Sequence, residues 1–453
     1  MLRDLADAVR TRRVGARELV ALALERIDRL DPGIGAVVVL RADQATDEAT
    51  AVDDRVAAGD DPGPLAGIPC LIKDIEDLQG LPTTHGSLVF RNAPPADRDG
   101  LIASRLQDAG AIPVGKANTP EFAAQGFTAN RLFGATRNPW APEWSPGGSS
   151  GGSGAAVAAG MVPVATATDT GGSIRIPAAF CGLAGVKPTN GLVDRDPSLC
   201  WPDLTTCGPL APTVDDLRLL LEVEAGRADL GPGGLPSRVL AMERFSPWGP
   251  LPESVQAAFD TAVGALESEL GLSVEQVEPD AVIRSGNADA DWAVWAAPEL
   301  VEWLGRERAE ESMPLLYPST RRFIEFGFGV STEDYRAVRK RAPGYRRELE
   351  AVLQNDAVIV TSTLTEEGWL ADGRMPGAEE PGTPAEVYNT NVQNLTGLPA
   401  VTVPAGRMPN GVPFGIQFTG PPLSDRRLLD LAAAWERVRP WPRAADGYEP
   451  FEV

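Results

Sequence analysis

The sequence predicts a single large α/β domain, on three observations. Its 453 residues suffice for one big core or for two to three ordinary domains. Apolar runs of strand length alternate with segments of helical period along most of the chain, which is the pattern of a mixed α/β architecture. No short-period repeat and no linker-like stretch divides the chain, so 1–453 reads as one unit.

Taken in order, residues 2–30 read as two amphipathic helices, with Leu2, Leu5 and Val9 on one face and Leu19, Leu22, Leu24, Ile27 and Leu30 following at helical spacing. Asp31-Pro32-Gly33 stops the second. Ile34–Leu40 reads as a buried strand, Asp43–Ala58 as a helix ended by Gly59, and Asp60–Pro64 as a loop. Gly67–Ile75 is a strand with Lys73 inside an apolar run. Leu101–Ala109 is a helix and Ala111–Val114 a short strand. A helix beginning at Ser153 or Gly154 runs through Met161, a strand spans Val162–Thr168, and a glycine turn carries Ser173. Val214–Glu224 is helical, with Thr213 as N-cap. Between 237 and 360 helices predominate: Pro252–Leu270, Ala288–Arg308 and Thr332–Leu353. Asp356–Thr361, Leu398–Pro404 and Phe414–Phe418 read as buried strands, and the helix Ser424–Val438 closes the chain.

Composition removes several function classes. A net charge of -22 opposes direct nucleic-acid binding, which needs a positive face, and fits an acidic, soluble surface. No run of about eighteen apolar residues predicts a membrane span. Met1–Asp7 lacks the cationic flank and apolar block of a secretory signal. Cys70, Cys181, Cys200 and Cys207 have no Cys-x-x-Cys spacing, so neither a metal site nor a disulfide framework is expected, and a reducing cytoplasm is the default location.

Two scarcities point toward chemistry. The chain holds one histidine, His85, and four lysines (Lys73, Lys116, Lys187 and Lys340) against 37 arginines. Arginine stays protonated in proteins, whereas lysine can lose its proton, so a retained lysine invites a chemical role. Lys73 sits among Leu71, Ile72 and Ile75, where burial would favour the neutral amine. Two readings are open for it: a base, or a structural lysine paired with Asp74 or Glu76.

The densest signal is Ser145–Leu192, with two glycine–serine clusters around an alanine-rich segment and an apolar run. Dense glycine carries an entropic cost, and a flexible linker would not enclose a buried-looking strand, so the stretch reads as a place where backbone approaches a ligand. Gly147–Gly151 matches G-x-S-x-G, but a proline-interrupted segment precedes it and the only histidine lies upstream, which excludes the usual nucleophile elbow. No lysine follows these glycines as a phosphate loop needs, and the dinucleotide fingerprint fails at Val157. Ser149, Ser150, Ser153 and Ser173 are either small turn residues or candidates for chemistry. The turn Thr170-Gly171-Gly172-Ser173 supplies successive backbone N–H groups able to converge on one spot, which is what an oxyanion hole requires. Asp169 and Arg175 flank it, either as a brace or as ordinary surface charge.

The motif set resembles the amidase signature family. The resemblance covers Gly67–Asp74, Pro82–Ser87, Gly115–Phe122, Gly134–Pro139 and all of Ser145–Leu192, with a weaker tail at Asn394–Ala400 and Gly411–Gln417. It implies a mixed twisted central sheet covered by helices on both faces, with 67–192 as the catalytic core segment. By the same resemblance the family's catalytic lysine falls on Lys73, its bridging serine, joined by a cis peptide bond, on Ser149, and its nucleophile on Ser173. Its oxyanion amides fall on Thr170, Gly171, Gly172 and Ser173, and supporting positions on Ser150, Asp169 and Arg175. His85 falls in a motif where the family does no proton chemistry.

The implied activity is hydrolysis of a small-molecule carboxylic amide through a serine acyl-enzyme, an amidohydrolase reaction on a linear C–N bond that needs no metal or cofactor. No nucleic-acid or membrane partner is implied, and the reading allows a homodimer. Two alternatives accompany it: the glutaminase subunit of a tRNA-dependent amidotransferase, and an inactive binding protein on the same fold. Trp292, Trp295, Trp303, Tyr317, Phe323, Phe326 and Phe328 are read either as a pocket lining, making 237–360 a substrate-pocket insertion, or as helix core. Phe127, Phe133 and Trp201 share that ambiguity.

Overall fold

Alternation of side chains along three neighbouring strands decides how the helices are arranged. The computed structural model describes residues 1–197, 199–246, 249–382 and 388–452. Its largest sheet has seven strands in the order Leu210–Ala211, Ala184–Lys187, Ala400–Arg407, Pro413–Thr419, Val358–Ser362, Val239–Ala241 and Val274–Gln276. The last two pairings are parallel and the others antiparallel. Val358, Val360, Val401, Val403, Ile416 and Phe418 point to one side, where they join Phe259, Leu428, Leu431 and Trp435 in a hydrophobic cluster. That side is therefore covered by the helices Glu253–Ser268 and Asp425–Val438.

The other side carries a polar row. Gln417 stands opposite Thr402 on one neighbour and Thr361 on the other. Above this row sits the short helix Arg175–Phe180, seated closely because two strand positions lack side chains. A Cβ at Gly415 would stand 2.7 Å from the Ala179 Cβ, and one at Gly185 would stand 2.7 Å from the Ala178 Cβ. Helices thus lie on both faces of a mixed sheet.

A second sheet has four strands in the order Val37–Leu40, Ile112–Ala117, Pro69–Lys73 and Val164–Ala165. Pro69–Lys73 lies inside it, parallel to both neighbours, and every residue in it is buried. Lys73 ends this strand, so its side chain emerges where the flanking loops converge. The helix Gly151–Ala158 is buried on all sides. Its glycines permit this: a Cβ at Gly152 would lie 2.4 Å from both the backbone nitrogen and the oxygen of Asn118. No helix among the described residues is long and apolar enough to cross a membrane.

The structure departs from the expected elements at several places. The mixed, helix-covered α/β architecture is as expected, with its main strands distributed over a seven- and a four-stranded sheet. Ile34–Leu40 is not a buried strand. Only Val37–Leu40 pairs, at the sheet edge, and Leu40 is exposed. The strand expected over Val162–Thr168 breaks in two, because Thr168–Asp169 leaves the four-stranded sheet to pair with Thr206–Cys207. The helix expected from Ser153 or Gly154 begins at Gly151. The Ala288–Arg308 helix stops at Leu304 and restarts at Arg306, with Gly305 between them at φ +80°. Within 237–360, residues 247 and 248 lie outside the described residues. That segment is mainly helical, yet it also supplies two strands at one edge of the larger sheet. Arg175–Phe180, Pro318–Gly329 and Asn391–Thr396 are helices that the sequence did not announce.

Because Gly415 seats the Arg175–Phe180 helix, Gly415→Val is expected to lower the unfolding free energy by about 1–3 kcal/mol in chemical denaturation. Gly264→Ala, on an exposed helical site where a Cβ meets nothing, is expected to raise it by about 0.4–1 kcal/mol.

Candidate active site

Lys73 reaches the end of its strand completely buried. Its Nζ lies 2.8 Å from Ser149 Oγ, 2.8 Å from Ser150 Oγ and 2.9 Å from Thr168 Oγ1. Neither acidic neighbour in sequence takes it as a partner. Asp74 pairs with the buried Lys116 at 2.9 Å, and Glu76 accepts a hydrogen bond from Thr166. Thr166 Oγ1 in turn accepts from the Lys73 backbone N–H. Burial pulls the Lys73 amine down to about 7, against the opposing charges of Glu76 and Asp169. An amine held among three hydroxyls, with no carboxylate in contact among the described residues, is poised to exchange a proton near neutrality.

The two glycine–serine clusters meet at this amine. The Gly148–Ser149 peptide is cis. Thr119 Oγ1 donates to the Ser149 carbonyl, and the Ser150 N–H donates to the Ser173 carbonyl at 3.3 Å. Ser149 and Ser150 are sealed off, whereas Ser173 keeps 8 % of its surface and lines a small chamber. Its hydroxyl makes no hydrogen bond among the described residues.

Asp169 and Arg175 brace the Thr170–Ser173 turn, and both are fully buried. Arg175 Nε and Nη2 grip the two carboxylate oxygens at 2.9 Å each. Its remaining donors reach Gln393, Gln417, Asn394 and the Thr390 carbonyl. Asp169 also accepts from the backbone N–H groups of Gly172 and Ile174 and from Asn394 Nδ2. Burial alone would raise the Asp169 carboxyl, but the Arg175 charge and hydrogen bonds hold it below the usual range.

This brace corrects one expectation. The Gly172 N–H is committed to Asp169 Oδ1 at 2.7 Å and does not face the chamber as a free donor. Thr170, Gly171 and Ser173 retain unbonded N–H groups among the described residues. The carbonyls of this turn are held from outside: Trp292 Nε1 donates to Thr170 O at 2.8 Å and Thr390 Oγ1 to Gly171 O at 2.5 Å. Gly171 has no room for a side chain, since a Cβ there would lie 2.8 Å from both Asn391 Oδ1 and the Trp292 ring.

The chamber at Ser173 measures about 20 Å³. It shares Gln125, Trp292, Tyr388 and Asn391 with an outer groove of about 440 Å³ that Phe323 and Phe326 also line. On the inner side it shares Thr170 and Trp201 with a second small pocket lined by His85, Phe122 and Trp303. The aromatic residues thus divide. Trp292, Trp303, Phe323, Phe326 and Trp201 border these spaces, while Trp295, Tyr317, Phe328 and Phe127 pack in the core clusters and Phe133 is exposed. His85 packs against Phe90 and Trp303 and is held neutral by burial, down to about 4. Lys187 is also pulled down to about 7 by burial and by Arg175, but its amine bonds Pro188 O and Asn190 Oδ1, away from the serines.

Sequence reasoning missed Thr168, the third hydroxyl on Lys73, and the amide side chains of Gln393, Asn394 and Gln417 around Arg175. A hydroxyl beside Asp169 and a run of amides near the tail motif were the available signals. Among the described residues no group of three or more His, Cys, Asp or Glu side chains is placed to hold a metal ion.

Known proteins resemble this chain over nearly its whole length. The Amidase family model matches residues 18–429. Among curated proteins, the A subunit of the glutamyl-tRNA(Gln) amidotransferase of Symbiobacterium thermophilum is 35% identical, covering 94% of each chain. The putative amidase AmiB2 of Mycobacterium tuberculosis is 35% identical, covering 97% of this chain and 95% of that one. Among solved structures, a bacterial aryl acylamidase of the amidase signature enzymes superposes with a TM-score of 0.85 at 27% identity, covering 96% of this chain and 95% of the other.

Removing one member of a buried ion pair leaves the other uncompensated. Arg175→Leu is therefore expected to lower the unfolding free energy by about 3–5 kcal/mol in denaturant titration, well beyond the effect of Arg322→Leu at an exposed pair.

Proposed function

The chain belongs to the amidase signature family, and from that premise we propose that it hydrolyses a small-molecule carboxylic amide through a Ser173 acyl-enzyme. The observation that carries this reading is the fully buried Lys73 amine, 2.8 Å from the Ser149 and Ser150 hydroxyls and pulled toward neutrality by its surroundings.

In this mechanism Ser173 Oγ attacks the amide carbonyl carbon. Its proton passes to Ser149 Oγ, and the Ser149 proton passes to neutral Lys73 Nζ. The carbonyl oxygen takes up the charge facing the N–H groups of Thr170, Gly171 and Ser173. The C–N bond then breaks, Ser149 gives its proton to the departing nitrogen, and Lys73 returns one to Ser149. Water attacks the acyl-serine ester by the same relay and releases the carboxylic acid. Ser150 and Thr168 hold the Lys73 amine in place. Asp169 and Arg175 hold the turn that presents the nucleophile.

The lining around Ser173 favours an apolar or aromatic substrate. Trp201, Trp292, Tyr388 and Ile176 border it, and no charged side chain does so among the described residues. A glutamine substrate would bring an ammonium and a carboxylate that want such partners. Arg322 on the outer groove is already engaged by Glu380 and the Pro381 carbonyl. On this reading 237–360 acts as the substrate-pocket segment, through Trp292, Phe323 and Phe326.

A panel of apolar amides and glutamine, assayed on the purified chain, tests the substrate class. Apolar amides are expected to turn over and glutamine to be poor; glutamine as sole substrate would replace this reading with the amidotransferase subunit. Ser173→Ala is expected to reduce turnover by about 10⁴-fold or more, and near-normal hydrolysis by that variant would refute the mechanism. Lys73→Ala is expected to cost about 10²–10⁴-fold. The base must be unprotonated, so kcat/KM should rise with pH and level off above the Lys73 value of about 7. Lys73→Ala should lose that inflection.

A further inference from the structure

One polar atom beside Ser173 has no partner among the described residues. Asn391 begins the helix Asn391–Thr396 and keeps 2% of its surface, yet its Oδ1 meets no hydrogen-bond donor of those residues. Asn391 borders both the Ser173 chamber and the outer groove. Its Oδ1 lies over Gly171, 2.8 Å from where a Cβ would stand, and Gly171 carries one of the free N–H groups of the turn. The nearby Trp292 N–H cannot satisfy it, because that donor is spent on Thr170 O.

The orientation of the Asn391 amide is fixed from behind. Its Nδ2 donates to Asp289 Oδ1 at 3.1 Å. Asp289 lies in the first turn of the helix Ala288–Leu304. With the NH₂ end of Asn391 on Asp289, its carbonyl end faces the chamber, so the chamber wall presents an acceptor. The space at that point is about 20 Å³, enough for a group of about one water's size, such as an amide NH or NH₂.

We propose that Asn391 is a specificity-determining residue whose Oδ1 accepts an N–H from the nitrogen of the scissile amide, so that the enzyme selects primary and secondary carboxamides over the matching esters and N,N-disubstituted amides. The inference rests on the reading of Ser173 as nucleophile. A carbonyl held by the Gly171 and Ser173 amides places its nitrogen substituent beside the same turn. An N–H there completes the acceptor, while an ester oxygen or a dialkylated nitrogen leaves it unpaired and buried.

The test compares an aromatic primary amide with its methyl ester and its N,N-dimethyl amide on the full-length chain. Wild type, Asn391→Leu and Asp289→Asn are assayed, with labelling of Ser173 by a fluorophosphonate run alongside. In Asn391→Leu the kcat/KM for the primary amide is expected to fall about tenfold or more, with a much smaller fall for the ester, so that the amide-to-ester ratio drops. Asp289→Asn can donate to Asn391 and so let its amide turn over, which is expected to lower the same ratio and carries the test if the leucine variant fails to fold. A ratio that stays at the wild-type value in either folded, labelled variant overturns the proposal, as does equal wild-type turnover of primary and N,N-dimethyl amides. If wild type neither labels at Ser173 nor hydrolyses any of the three compounds, the nucleophile reading itself fails and the specificity proposal falls with it.

Discussion

The buried pair of Asp169 and Arg175 is the constraint on which the rest of the site depends. Two fully buried charges tolerate each other's company only when the remaining donors and acceptors are also filled. Here they are: Arg175 is met by Asp169, Gln393, Gln417, Asn394 and Thr390, and Asp169 by two backbone N–H groups and Asn394. Those two N–H groups belong to Gly172 and Ile174, on either side of Ser173. The pair therefore shapes the turn directly. It pulls Gly172 inward, which leaves the amides of Gly171 and Ser173 outward. Gly172 adopts φ +126°, a conformation that a residue with a side chain rarely holds.

Burial serves a different purpose at Lys73. A lysine in contact with a carboxylate would stay charged. This chain keeps carboxylates one step removed: Asp74 is taken by Lys116, and Glu76 reaches the Lys73 backbone only through Thr166. What remains around Nζ is a set of hydroxyls, which solvate an amine in either protonation state. Glu76 is itself pushed up to about 7 by burial, so its opposing field on the lysine weakens as it takes a proton. The three lysines between 73 and 187 thus have separate surroundings: Lys73 lies among hydroxyls, Lys116 pairs with Asp74, and Lys187 bonds Pro188 O and Asn190.

The legible part of the sequence was local. Helices with a clear apolar stripe, such as Leu2–Arg10 and Ala16–Leu30, fell where the spacing placed them, and Gly59 ends its helix in the left-handed conformation. The Ser145–Leu192 stretch and Lys73 announced themselves through glycine density and lysine scarcity. Three kinds of feature were not legible. The helix Asn391–Thr396 is buried on every side, and its mostly polar residues leave no apolar stripe to mark its period. Arg175–Phe180 carries Pro177 inside it, which local propensity reads as a break. Long-range partners left no sequence spacing at all: Gln393 and Gln417 reach Arg175 from more than two hundred residues away. Which aromatic residues face the groove depended on the rotation of helices whose neighbours come from distant segments. Trp292 and Trp295 lie three apart on one helix and both pack in the same cluster, yet only Trp292 also lines the groove.

The same distant contacts join the chamber wall to the Thr170–Ser173 turn. The helix Asn391–Thr396 supplies Gln393 and Asn394 to Arg175, and Asn391 to the chamber wall. One short, fully buried helix therefore sets both that turn and the carbonyl facing it. Thr390, just before that helix, closes the arrangement by donating to Gly171 O while its own carbonyl accepts from Arg175. A shift of this helix would move the wall and the turn together, so their separation is fixed by packing rather than by either loop alone. Trp292 makes the equivalent link from the other side, holding Thr170 O while lining the groove. Reshaping the groove through distant parts of 237–360 would leave this frame intact. Altering Trp292 or the Asn391–Thr396 helix would disturb the Thr170–Ser173 turn itself.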